Sequence, residues 1–279
     1  SLAAIAALGA MGDGAAAAPL LTIARSGDPK KARAAICALG DIGAGDALAL
    51  FRERLFAADD ATAAAAARAM GRIGGASALK ALIRAAEVGG FATAINATAA
   101  LAELAPALSG AGKAALASAL GDRLGDERPL VRANAAAAAG RAKLGPLTGA
   151  ITAILAADPS TAARKSAATA LARIAASGDT AKAAHEAITT ALTAAAHNDP
   201  SAEVRAAATA ALAGPAKVVP RESWVTFRVI DPDAGAPVAG EAYFVIDADG
   251  LVTAFYTDSR GMFSDEAFPA GPYTRAPRP

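Results

Sequence analysis

The stretch Asp199-Pro200-Ser201-Ala202-Glu203-Val204-Arg205-Ala206-Ala207-Ala208-Thr209-Ala210-Ala211-Leu212 sets an acidic turn ahead of a helix built mostly from alanine. Aspartate and proline belong at a helix entry, where a carboxylate accepts amide protons that no helical carbonyl takes and a fixed φ does no harm. Alanine has the best helix propensity and lets a neighbouring helix approach closely. The same arrangement, Asp six residues ahead of Arg, recurs at Asp126/Arg132 and Asp158/Arg164, and Asp28-Pro29 with Arg33 is a shortened version. Working outward, the apolar anchors of such helices fall at Leu8, Leu39, Met70, Leu101, Ala139, Leu171 and Leu212, at intervals of 31, 31, 31, 38, 32 and 41 residues. A period of that size holds two short helices that bury their apolar faces only by stacking on neighbours, so the chain is a solenoid over residues 1–213.

Second helices show apolar residues at helical spacing: Leu48, Phe51 and Leu55; Leu79, Leu82 and Ile83; Leu116, Leu120 and Leu124; Ile151, Ile154 and Leu155; Ile188 and Leu192. Glycine-containing turns such as Gly40-Asp41-Ile42-Gly43, Gly71-Arg72-Ile73-Gly74 and Ser177-Gly178-Asp179 suit helix ends that need a left-handed residue. The third repeat keeps Asp59-Asp60 but no arginine at the expected place, and the fourth keeps neither residue. Periodicity alone carries those two.

The run Val204 to Leu212 resembles the first helix of a HEAT repeat, in the variety shared with phycobilisome-lyase-type proteins. The resemblance covers about three quarters of the chain. It implies a right-handed α-solenoid of about seven helix pairs whose second helices line the concave face. It also implies that Asp126, Arg132, Asp158, Arg164, Asp199 and Arg205 belong to a polar ladder between repeats. Such a signature specifies a fold and says little of function, since unrelated activities use the same solenoid.

After Leu212 the helical pattern ends in Gly214-Pro215-Ala216-Lys217-Val218-Val219-Pro220, and Trp224 to Ile230 alternates as a strand. Further strands are expected at Glu241 to Ile246, Leu251 to Thr257 and around Met262-Phe263. The chain therefore reads as a solenoid over 1–213, a linker over 214–221 and a small antiparallel β domain over 222–279. Gly235-Ala236-Pro237-Val238-Ala239-Gly240, then Thr257-Asp258 with Gly261 and Phe263, then Pro269-Ala270-Gly271-Pro272-Tyr273 resemble the carboxypeptidase-regulatory-like domain, a transthyretin-like β-sandwich of about seven strands. Members of that family continue past the last element with further strands, whereas this sequence reaches Arg278-Pro279, so the sandwich is expected to be incomplete or completed by another element. The final helix also needs a cover, and the domain seam is expected at Val204, Leu212, Val219, Trp224 and Phe227, with any open strand edge free to accept a partner's strand.

Hydrophobic residues make up 54% of the 279, but much of that is alanine, which gives a broad, thin core. Lys and Arg outnumber Asp and Glu by 21 to 17 through residue 213 and are outnumbered 6 to 9 beyond it, so neither part has the clustered positive charge of a polyanion binder. The longest uncharged stretch, Val88 to Ala102, is 15 residues and falls short of the roughly 20 that a membrane helix needs. Cys37 is the only cysteine, has no histidine beside it and reads as an inert core thiol. His185 and His197 lie 12 residues apart, about three helical turns, too far to share a metal. Asp247-Ala248-Asp249-Gly250 lacks the oxygen ligand and glycine that a calcium loop needs at Leu251 and Val252, and reads as a strand-connecting turn, as do Asp231, Asp233 and Gly235. No serine lies in a nucleophile elbow, and no glycine loop with lysine offers a phosphate cradle.

The expected function is therefore a non-enzymatic protein–protein interaction scaffold or adaptor subunit of a larger bacterial assembly, without cofactor or nucleic acid. Partners would lie along the groove of second helices, where Arg52, Lys80, Arg84, Lys113, Lys182 and Glu186 are the candidate contact residues; the plainer reading of each is a solvated charged face. Carboxypeptidase-regulatory-like domains are common in exported proteins, so that resemblance implies the periplasm, envelope or extracellular space. The alternative is a cytosolic HEAT-type lyase or regulatory protein acting on a chromophore or protein client.

Overall fold

A computed structural model of the chain describes residues 1–177, 181–214, 225–231, 234–247, 250–257, 261–265 and 274–275. It divides into two compact units, Ser1–Leu116 and Ala117–Pro279.

The first unit is all helical: α1 (Leu2–Ala10), α2 (Ala17–Ala24), α3 (Pro29–Asp41), α4 (Leu48–Arg54), α5 (Asp60–Ile73), α6 (Ala76–Val88), α7 (Phe91–Leu104) and the start of α8 (Gly110–Arg123). Odd-numbered helices carry the anchors and pack in series, α1 on α3 on α5 on α7, while α2, α4 and α6 pack against α3, α5 and α7. Along α5 and α7 nearly every residue is buried, which accounts for the alanine and threonine that fill most positions where helices pack on several sides.

A glycine one residue past the anchor sets the spacing of the stack. A Cβ at Gly9 would lie 2.9 Å from Ala38 Cα, one at Gly40 2.8 Å from Ala69 Cα and one at Gly71 2.7 Å from Ala100 Cβ. Gly40 and Gly71 are thus inside their helices for close approach. The turn role expected of them belongs to Gly43 and Gly74, whose φ values of +67° and +80° are left-handed.

The second unit continues with α9 (Pro129–Arg141), α10 (Thr148–Ala157), α11 (Thr161–Ala175), α12 (Lys182–Asn198) and α13 (Ala202–Leu212). Here α9 packs on α11 and α11 on α13, with α10 against α11 and α12 against α13. Gly140 repeats the glycine step, its Cβ position falling 2.6 Å from Ala170 Cα. All the second-helix leucines and isoleucines named from the sequence are buried except Leu48 and Ile83, which are half-buried.

Among the described residues five strands follow: β1 (Val225–Arg228), β2 (Ala242–Ile246), β3 (Val252–Tyr256), β4 (Met262–Asp265) and β5 (Thr274–Arg275). All pairing is antiparallel and forms two sheets, β1 with β4 and the order β3-β2-β5. The small β-sandwich expected from the sequence is not present among the described residues. What is present is a β2–β3 hairpin, with Ala242 opposite Tyr256 and Ile246 opposite Val252, whose central strand takes β5 on its other side.

Candidate interaction surfaces

Two of the three ladder arginines hold neighbouring repeats to one another. Arg132 donates from Nε and Nη2 to the two carboxylate oxygens of Asp158 (2.7 and 2.9 Å), and from Nη1 to the carbonyls of Asp126 (2.8 Å) and Glu127 (3.0 Å). Arg164 does the same one repeat on, gripping Asp199 at 2.8 and 3.0 Å and donating to the carbonyls of Asp158 (2.8 Å) and Pro159 (3.3 Å). Each arginine therefore ties its own entry loop to the aspartate of the following repeat. Hydrogen bonds from Arg164 hold the Asp199 carboxyl below the ordinary carboxylate range despite its burial. Burial pushes Asp126 the other way, but donors from Arg128 and the charge of Arg123 outweigh it.

These aspartates do not cap helices in the way expected. Asp28 does, accepting from Lys30 N (3.0 Å) and Lys31 N (3.1 Å). Asp158 and Asp199 instead accept from Ser160 N and Ser201 N, both at 2.8 Å, and those serines are the cap residues. The carboxylate fixes the turn ahead of the helix and keeps its other lone pairs for arginine.

Where the fourth repeat has lost its aspartate, Asp60 reaches over from the third. Its carboxylate accepts from Ala92 N (2.9 Å) and Thr93 N (3.1 Å) at the α7 N-terminus, and Thr93 Oγ1 also donates to it. Gly90 makes room: a Cβ there would sit 2.6 Å from Asp60 Cγ. The sequence reading missed this exchange, though the doubled Asp59-Asp60 beside an Asp-less repeat is its signal.

In the second unit the β2–β3 hairpin is fastened to the first helices. Asn134 of α9 donates from Nδ2 to Val252 O (2.8 Å) and accepts from Val252 N at Oδ1 (2.5 Å). Ser166 of α11 donates to Gly250 O (2.8 Å). Gly250, at φ +83° and with its Cβ position 2.7 Å from Ser166 Oγ, admits no side chain. Asp247 shapes the connecting turn by accepting from Leu251 N (2.9 Å), consistent with its reading as a turn residue; Asp249 lies outside the described residues.

The described hairpin contacts thus lie on α9 and α11. Val204 is buried within the helical stack and Leu212 is 42% exposed. Val219 and Trp224 lie outside the described residues, and Phe227 is placed only by its backbone register opposite Phe263. Asn134 and Ser166 were missed as docking residues. Both stand five residues before an anchor, in a row otherwise filled by alanine except at Asn96, and that polar interruption of an alanine row is the signal.

The candidate groove residues all stay in solvent on second helices. In the first unit Arg52 donates to Ser77 Oγ (3.3 Å), Arg84 pairs with Glu87 (2.8 Å), and Lys80 and Lys113 are exposed. In the second unit Lys182 stands 3.8 Å from Glu186. A shallow groove of about 600 Å³ runs along α12, lined by His185, Glu186, Thr189, Thr190, Thr193 and His197 among others. Its three threonine hydroxyls donate back to carbonyls four residues earlier, at 2.8 to 3.0 Å, which leaves oxygen lone pairs towards solvent. Both histidines are exposed, and Cys37, which reads from the sequence as a core thiol, is only half-buried. Among the described residues, no group of three or more His, Cys, Asp or Glu comes together as a metal would need, and no helix is long and apolar enough to cross a membrane.

A model of the HEAT-repeat family matches residues 17–102. No curated protein matches the chain. Among solved structures, the HEAT-like repeats protein of the archaeon Thermococcus onnurineus NA1 is 16% identical, over 76% of this chain and 91% of that one, with a TM-score of 0.54. Human deoxyhypusine hydroxylase, in complex with glycerol, is 22% identical over 75% of this chain and 76% of that one, with a TM-score of 0.38. The helical part of the chain is accordingly a solenoid of HEAT-like repeats, and that likeness is one of fold.

Proposed function

We propose that the chain is a non-catalytic scaffold or adaptor subunit of a larger bacterial assembly at the cell envelope, holding protein partners on its second-helix faces. One observation carries this reading: the two kinds of helix differ in what they leave open. In the second unit the first helices α9 and α11 hold the β hairpin through Asn134 and Ser166, whereas the second helix α12 keeps Lys182 and Glu186 in solvent, as α4, α6 and α8 keep Arg52, Lys80, Arg84 and Lys113. Repeat surfaces of this kind serve interaction generally.

The envelope placement rests on the sequence resemblance of the β region to carboxypeptidase-regulatory-like domains. Fractionation of the source cells followed by affinity capture tests it. The reading requires the full-length chain in the envelope fraction, with partners at fixed stoichiometry. Recovery from the cytosol, or with a chromophore attached, would overturn it in favour of a lyase-like or regulatory protein.

A further inference from the structure

Arg205 repeats the pose of Arg132 and Arg164 without the partner that those two hold. Its Nη1 donates to the carbonyls of Asp199 (2.7 Å) and Pro200 (3.1 Å), as theirs do to their own entry loops. Its Nε and Nη2 edge, which in the other two grips both oxygens of the next repeat's aspartate, meets no carboxylate among the described residues. A second observation at the same face is independent of the first. Leu39, Met70, Leu101, Ala139 and Leu171 are fully buried at the anchor position, whereas Leu212, the anchor of α13, is 42% exposed. Beside it Ala206, Ala210 and Ala213 are also exposed.

The outer face of α13 is thus the continuation of an interface that the chain builds from α9 to α11 and from α11 to α13. It offers a small, apolar helix face and a guanidinium already fixed in direction, so little further side-chain order is lost when a carboxylate arrives. We infer that this face docks a partner protein through an acidic helix-entry turn of the Asp-Pro-Ser kind. The partner's aspartate takes the free edge of Arg205 in a two-point bond, and the helix that follows covers Leu212. This end face is separate from the second-helix faces, so the two readings fail independently.

The test uses the full chain and a fluorescein-labelled peptide copying residues 197–213, which carries the Asp199 turn and the α13 helix. The wild-type chain should bind it saturably, and the peptide with Asp199→Asn should bind about tenfold more weakly, the loss expected for a charge-assisted hydrogen bond. Arg205→Lys in the chain should weaken the unmodified peptide to the same extent, while Lys30→Gln on α3 should change nothing. The Asp199→Asn peptide reads the same contact without altering the protein, so an unstable Arg205 variant does not blunt the test. Absence of saturable binding, or equal binding of both peptides, overturns the proposal.

Discussion

The side-chain amide of Asn134 pairs with both backbone groups of Val252, donating to its carbonyl at 2.8 Å and accepting from its amide at 2.5 Å. A helix side chain thereby does for the edge of β3 what a neighbouring strand would do, and it reads backbone rather than sequence. Both residues are fully buried. Asn134→Ala would leave the two Val252 groups buried and unpaired, at a cost of about 2–3 kcal/mol. Hydrogen exchange should show the amides of 250–257 opening earlier while those of α3 and α5 keep their protection. Unchanged exchange in the hairpin would mean that the amide contributes nothing to docking.

The glycine steps predict opposite effects of one substitution at two helical sites. Gly71→Ala forces a methyl group against Ala100 and should destabilise the first unit by about 1–3 kcal/mol through overpacking. Gly149 on α10 has no neighbour within 4 Å of its Cβ position, and Gly149→Ala should stabilise by about 0.5–1 kcal/mol. Urea denaturation of the two variants checks both signs.

Arg164 and Asp199 form a buried, two-point ion pair. Removing one partner leaves the other charge buried, so Arg164→Ala should cost about 3–5 kcal/mol, while replacing both together by apolar residues of similar volume should cost much less. A double-mutant cycle measured by chemical denaturation separates the pair energy from the burial penalty.

The same carboxyl gives a pH dependence whose sign follows from its direction of shift. Asp199 is held below its ordinary value of 3.8, chiefly by the hydrogen bonds from Arg164. Its contribution to stability is therefore complete above that value and is lost as pH falls through the lower, folded one. Asp126 and Asp59 are shifted the same way, with burial opposed and outweighed by their arginine and threonine partners. Thermal stability should be flat in these groups from pH 7 to 5 and fall below about pH 4, and the fall should be shallower in an Asp199→Asn variant. A stability that rises on acidification would contradict the assignment.

The solenoid was legible because its determinants are local and repeated: the anchors at Leu39, Met70 and Leu101 recur every 31 residues and stand in α3, α5 and α7. The glycine step was half legible, since sequence marks Gly40 and Gly43 alike and only packing shows that the first is for contact and the second for the turn. The docking of the hairpin was not legible. It depends on a pairing between residues 118 positions apart, Asn134 and Val252, and one partner is a backbone group that no side-chain pattern announces. Nearness in sequence points to Leu212 as the seam, whereas the described hairpin contacts go to Asn134 of α9 and Ser166 of α11.

The claim that the second helices are the working face is tested most directly by site-resolved photocross-linking in the source cells. A photoreactive residue would replace Lys80, Arg84 or Lys182 on second helices, and, as controls, Lys30 or Lys31 at the entry of the first helix α3; all five positions are exposed. The account predicts a discrete adduct of reproducible mass from the second-helix positions and none from the controls. Adducts from the first-helix entries alone, or equal labelling from every position, would contradict it.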